Sequence, residues 1–179
     1  MSGHNKWSKI KHKKAATDAG RSRLFARHAR AIAMESKLAN GDTTHPGLLG
    51  AIERSKKDSF PKENIERAIS RGREVGNTNL QSVLFEAYGP GGVAMIITAI
   101  TDNNNRTNQL VKHALSSLGY QLGNPGSALW AFTKTTDGYA AQNPLTLSST
   151  DQEALESLIA SIEEIDDIQD IYTAATLVL

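Results

Sequence analysis

Apolar residues in the first 73 positions recur with a helical period, and from Val83 the pattern changes to strand-like alternation. Phe25, Ala29, Ile32, Ala33 and Ser36 fall at i, i+4, i+7, i+8 and i+11, which predicts one buried stripe on a long helix from Thr17 or Asp18 to Ala39. Asn40-Gly41 ends it, since glycine tolerates the left-handed cap. Pro46 opens a second helix with Leu48, Leu49 and Ile52 facing inward. A third starts at Pro61, with Ile65, Ala68 and Ile69 as its apolar seam. Early Glu63 and Glu66 suit its positive end, Arg71 and Arg73 its negative end, and Gly72 lies near the stop.

Glu74–Gln81 (EVGNTNLQ) is polar and lacks a helical period, so it reads as a linker. Val83, Phe85 and Ala87 then alternate, Gly89-Pro90-Gly91-Gly92 turns, and Val93–Thr101 (VAMIITAIT) reads as a buried strand. Asp102–Asn105 is a loop and cap cluster before a helix over Arg106–Leu118, lined by Leu110, Val111, Ala114, Leu115 and Leu118. Ser127–Thr133 (SALWAFT) reads as a strand that puts Trp130 and Phe132 on one face, in the core or as stacking aromatics on an open sheet. Asp137-Gly138 turns, Leu145–Leu147 is a short strand, Asp151–Ile165 a helix, and Ile168–Tyr172 a closing strand. Leu155, Leu158, Ile159 and Ile162 face inward from that last helix. This order predicts an α+β chain, with a basic three-helix domain followed by a ferredoxin-like split βαβ sheet domain. The expected divisions are an arm over 1–16, helices over 17–73, a linker over 74–81 and the sheet domain over 82–179.

Charge sharpens that division. Residues 1–73 carry nine Lys and eight Arg against seven acids, a balance of +10, and the remainder has Arg106, Lys112 and Lys134 against twelve acids, a balance of −9. The overall +1 hides this polarity. A basic segment of this kind attracts phosphate through counterion release and steers encounter with polyanions. Residues 1–14 (MSGHNKWSKIKHKK) have no apolar stretch of a signal peptide, and no run in the 179 residues approaches the roughly 20 needed to span a bilayer. Zero cysteines excludes disulfides, thiolate zinc sites and cysteine nucleophiles. The expected setting is the cytoplasm.

The candidate interface is cationic. Lys6, Lys9, Lys11, Lys13 and Lys14 would contact phosphates, with His12 among them, and Trp7 would stack on an unpaired base or anchor the arm. Arg23, Arg27, Arg30 and Lys37 recur at i, i+4, i+7 and i+14 as a stripe separate from the buried one, with Arg21 beside it. Lys56, Lys57, Lys62, Arg67, Arg71 and Arg73 would extend the surface. His28 would sit among phosphates or on a solvated face. The five histidines share no metal-ligand spacing, and Gly89–Gly92 lacks the P-loop pattern. No G-x-S-x-G elbow is present, and a nuclease-like enzyme would need a carboxylate set such as Asp102 with Glu86. The acidic group Glu163, Glu164, Asp166, Asp167 and Asp170 reads as a solvated turn or as a contact for cationic surface. No cofactor, metal, membrane or small-molecule substrate is expected.

Several segments together resemble the YebC/PmpR family: GHNKWSKIKHKKAATDAGRSRLF at Gly3–Phe25, PKENIERAISRG at Pro61–Gly72, YGPGGVAMIITAITDNNNRT at Tyr88–Thr107, GSALWAF at Gly126–Phe132 and EEIDDIQDIYTAA at Glu163–Ala175. They stand in family order across nearly the whole chain, and with the match starting at Gly3 no cleaved presequence is expected. The resemblance implies a non-enzymatic gene-expression factor. Members of the family are labelled DNA-binding transcriptional regulators, while others look like ribosome-associated translation factors, including mitochondrial activators of cytochrome c oxidase subunit I synthesis. Members also carry a third lobe between the GSALWAF strand and the closing helix, where this chain has only Thr133–Thr150, so residues 133–150 are expected to replace that lobe.

Overall fold

The first helix, α1 (Asp18–Leu38), starts where Thr17 leaves extended backbone and its Oγ1 accepts the Gly20 N–H at 3.1 Å. The structure is a computed structural model that describes residues 17–74, 79–136 and 138–176; the predicted arm lies outside them. α1 ends as expected: Asn40 and Gly41 turn left-handed, at φ 50° and 78°, and the Gly41 N–H returns to the Ser36 carbonyl at 2.8 Å. α2 (Pro46–Lys57) has proline in its first turn, and α3 (Lys62–Arg73) follows Pro61.

Ile32, Leu48, Ala51, Ile52, Phe60, Ile65 and Ala68 form the core of this helical unit, and Phe25 meets Phe60 edge-on with ring centres 5.2 Å apart. Leu49, expected inward, is 43% exposed, while Leu48 is fully buried. Successive helical residues point about 100° apart, so a narrow seam takes only one of the pair. α1 and α3 cross closely over small residues. Ser36 Oγ, fully buried, donates to the Ile69 carbonyl at 2.8 Å, and Gly72 lies under Ala33 and Ser36.

The described residues fall into two compact units. The helical one runs to Ser82 and also takes in Ile100–Asn104; the other takes Val83–Ala99 and the chain from Asn105 onward. Of the expected linker, Gln81 already belongs to β1 (Gln81–Tyr88), and residues 75–78 lie outside the described ones.

The sheet has the order β1-β2-β6, with β2 (Ala94–Thr101) central and β6 (Ile168–Thr173) on one side. β2 and β6 run antiparallel from Met95↔Thr173 to Thr98↔Asp170, and the register then shifts to Ala99↔Ile168. The predicted Gly89–Gly92 turn joins β1 to β2, with the Gly89 N–H donating to the Val93 carbonyl at 2.8 Å. β3 (Phe132–Thr135) and β4 (Gly138–Ala141) form a separate antiparallel ribbon, and β5 (Leu145–Thr146) pairs in parallel with β7 (Ala175–Thr176). α4 (Asn104–Ser116) and α5 (Ser149–Glu163) each begin two residues earlier than expected. Ahead of α4 the Thr101 hydroxyl accepts the Asn103 N–H at 2.9 Å and closes a turn, and α5 is capped by Ser148, whose hydroxyl accepts the Asp151 N–H at 3.1 Å. Met95, Ile96, Ile97, Val111, Leu115, Leu155, Leu158, Ile162 and Ile168 fill the core of this unit.

One expected strand is shorter and differently oriented. Leu129–Ala131 is a 3₁₀ turn, and only Phe132 onward is extended. Trp130 and Phe132 therefore do not share a face: Phe132 is buried and Trp130 stands in water.

The acidic stretch before β6 is not simply solvated. Asp167 is 4% exposed, and its Oδ2 accepts from Arg106 Nη2 at 2.8 Å and from the Thr107 hydroxyl at 2.6 Å, tying α4 to the loop before β6. Arg106, 47% exposed, can turn back to water, so Asp167→Asn should cost only about 1–2 kcal/mol. Urea unfolding would show this as a lower midpoint at unchanged slope.

Candidate nucleic-acid interface

The predicted residues Lys6, Trp7, Lys9, Lys11, His12, Lys13 and Lys14 lie outside the described ones. On α1, Arg21 is exposed, whereas Arg23, Arg27 and Arg30 are half-buried. The periodicity places this stripe apart from the apolar one, yet α1 packs against both α2 and α3, so less of its circumference reaches water than a helix lying on one neighbour would show. Long arginine stems tolerate this because their methylenes cover apolar surface while the head seeks a partner.

More open cations come from the ends of the other helices. Arg54, Lys56 and Lys57 close α2, Arg71 and Arg73 close α3, and all five are exposed. Lysine and arginine in a last turn face the negative end of the helix dipole, so this placement stabilises each helix while projecting charge outward. On α3, Lys62 lies 3.8 Å from Glu66, and Arg67 Nη2 donates to Asn64 Oδ1 at 2.5 Å. An exposed pair such as Lys62–Glu66 is worth little and separates easily when a phosphate competes.

His28 is neither solvated nor an open phosphate ligand. Its Nε2 lies 2.8 Å from Asp58 Oδ2, and its ring packs 5.8 Å from that of Phe60. This contact spans from α1 to the residue after α2, a distance that no local spacing signals.

Glu86 has a structural task. Its Oε1 accepts the Gly126 N–H at 2.5 Å, and its Oε2 accepts the N–H groups of Ala128 and Leu129, both at 2.7 Å. Burial pushes its carboxyl up, but the three backbone donors outweigh burial and hold it below the ordinary glutamate value. Both oxygens are thereby engaged in holding the backbone of residues 126–129. Among the described residues no group of three or more His, Cys, Asp or Glu is placed to hold a metal ion. No helix among them is long and apolar enough to cross a membrane.

Comparison with known proteins gives the arrangement its context. The family described as the TACO1/YebC protein N-terminal domain matches residues 5–75, and that described as the TACO1/YebC second and third domain matches residues 80–137. Proteins named probable transcriptional regulatory protein in Pseudothermotoga lettingae and Thermotoga maritima are 41% and 40% identical, each match covering 95% of this chain and 67% of the relative. A relative of the same name in Chloroherpeton thalassium is 40% identical over 98% of this chain and 70% of its own. The crystal structure of a conserved hypothetical protein from Aquifex aeolicus superposes with a TM-score of 0.80 at 24% identity, covering 89% of this chain and 91% of that one, and shares its fold. With matched segments running from the basic amino-terminal region into the ribbon, the chain belongs to the TACO1/YebC family.

Proposed function

We propose that this protein is a non-enzymatic regulator of gene expression that grips RNA on the ribosome, acting in the cytoplasm as a translation factor. The observation that carries this reading is the sorting of charge. A balance of +10 over residues 1–73 coincides with exposed cations at the ends of α2 and α3. In this reading the arm supplies Lys6, Lys9, Lys11, Lys13 and Lys14, with His12 among them and Trp7 stacking on a base. Arg21, Arg23, Arg27 and Arg30 continue the contact along α1. The helical domain over 17–73 binds, the sheet domain over 82–179 orients it, and the ribbon and short strand within 133–150 stand in place of the third lobe.

RNA is favoured over duplex DNA by what the helices offer. Phosphate contacts position a protein without reading sequence, and sequence reading needs side chains at a helix start that reach base edges. At the start of α3 the one amide, Asn64, has its oxygen engaged by Arg67. A lysine arm with an aromatic suits unpaired or shaped RNA. The relatives' printed name, probable transcriptional regulatory protein, favours a second reading, a transcriptional regulator, which would use the same surface on DNA.

Ribosome co-sedimentation tests the proposal. Replacing Lys9, Lys13, Lys56, Lys57, Arg67 and Arg71 together with glutamine should leave the fold intact and abolish co-sedimentation. It should also flatten the salt dependence of RNA binding by about 0.7 in log–log slope for each phosphate no longer neutralised. Unchanged co-sedimentation would overturn it. A preference for one duplex sequence over random duplex of about 10³-fold or more would establish the DNA reading instead.

A further inference from the structure

The sheet unit carries an aromatic that its core does not use. Trp130 is 65% exposed, the most open large apolar side chain among the described residues. Its one polar atom faces inward: the indole N–H donates to the Ser127 carbonyl at 2.9 Å and to the Tyr88 hydroxyl at 3.1 Å. The Tyr88 hydroxyl in turn donates to the same carbonyl at 2.5 Å. Beneath the turn, Glu86 holds the N–H groups of Ala128 and Leu129. The ring is thus fixed from its polar edge and from its backbone, and it turns only apolar edge and π face to solvent. Tyr88 and Leu129 flank it, each 38% exposed.

A tryptophan held this way sacrifices little freedom on binding, which is what makes rigid aromatics effective anchors. With its N–H already engaged, it selects ligands that recognise a π face. Two chemistries do so: a nucleobase by stacking, and a cation by attraction to the ring quadrupole. The surrounding charge decides between them. Over Val83–Ala99 and from Asn105 onward the chain has three cations against ten acids, a balance of −7, so its field repels phosphate and draws positive charge. Tryptophan is the strongest aromatic partner for a cation, and guanidinium is the cation found on it most often.

We propose that Trp130, seated against Tyr88, anchors an arginine-bearing segment of a partner protein. The protein would then engage a nucleoprotein target through both units, polyanion at the helical unit and cationic protein at the sheet unit. The anchor stands on the geometry of Trp130 and the charge of its own unit, so it does not depend on which nucleic acid the helices bind.

The two tryptophans give two indole N–H signals in a ¹⁵N-labelled full chain, and W130F assigns them. An arginine–glycine repeat peptide should move the Trp130 signal saturably, and its glutamine–glycine counterpart should not. W130A should weaken binding of the arginine peptide roughly fivefold or more, with W130F intermediate and thermal unfolding of both variants unchanged. The proposal is overturned if W130A binds the arginine peptide as tightly as the parent, or if both peptides move the signal alike. Oligouridylate moving the Trp130 signal would overturn it in favour of a nucleobase platform. A shift that grows with protein concentration alone would overturn it in favour of a second copy of this chain.

Discussion

Gly72→Ala is expected to destabilise the helical unit by about 3 kcal/mol. Intrinsic propensity alone predicts the opposite sign, because alanine in a helix interior is better than glycine by roughly 1 kcal/mol. Packing overrides it here. A Cβ at residue 72 would run into the Ala33 carbonyl oxygen, with Ser36 Cβ at 2.7 Å and Lys37 N at 3.0 Å. Two of those three atoms are backbone and cannot rotate away. The helices would have to separate, stretching the Ser36–Ile69 hydrogen bond of 2.8 Å. Thermal unfolding followed by circular dichroism should show the helical transition lowered by more than about 10 °C. Gly50→Ala is the matched control. Its nearest contact is the flexible tip of Arg54 at 3.5 Å, so the propensity gain should survive and stability should hold or rise. If Gly72→Ala behaves like Gly50→Ala, the close crossing of α1 and α3 is wrong.

Glu86→Gln should be the most damaging conservative change in the sheet unit, at about 2–3 kcal/mol by urea unfolding near neutral pH. The glutamate accepts three backbone N–H groups on two oxygens. A glutamine offers one oxygen and turns an NH₂ toward donors it cannot satisfy. The pH dependence gives an independent readout. Burial acts to raise the Glu86 carboxyl, the three N–H donors more than offset it, and the net value is lowered. A group whose folded value is lowered contributes stability that is present above its unfolded value and fades as pH falls through the folded one. The parent should therefore lose stability more steeply than Glu86→Gln once pH drops below about 4.3. Parallel acid limbs for the two proteins would contradict this account. Because the same carboxylate holds the Leu129 N–H, the Trp130 indole signal should also move in Glu86→Gln.

What the sequence discloses, and what it withholds, follows the range of the interactions. The starts of the first three helices are legible because their causes are local: Thr17 caps α1, Pro46 opens α2, and Pro61 precedes α3. The turn at Gly89–Gly92 and the apolar run of β2 are equally local. Trp130 escapes a sequence reading because Ser-Ala-Leu-Trp-Ala-Phe alternates like a strand, while the force that curls it comes from a carboxylate forty residues earlier. His28 escapes it for the same reason, since its partner Asp58 lies thirty positions away. The arginine stripe on α1 has the expected spacing, but its exposure depends on how many neighbours α1 has, and periodicity does not count neighbours. The charge asymmetry is fully readable from the residues alone, and the open cations at the ends of α2 and α3 extend it.

The five residues Ile100–Asn104 have a practical bearing on any effort to take this protein apart. The polypeptide leaves the helical unit after Ser82, re-enters it at Ile100 and leaves again after Asn104, so that unit is not a contiguous cassette. A fragment ending at Ser82 omits one of its pieces, and a swap of helices between family members would need three splice points rather than one. Binding measured on such a truncated fragment would describe a unit without that piece, and the intact chain keeps it.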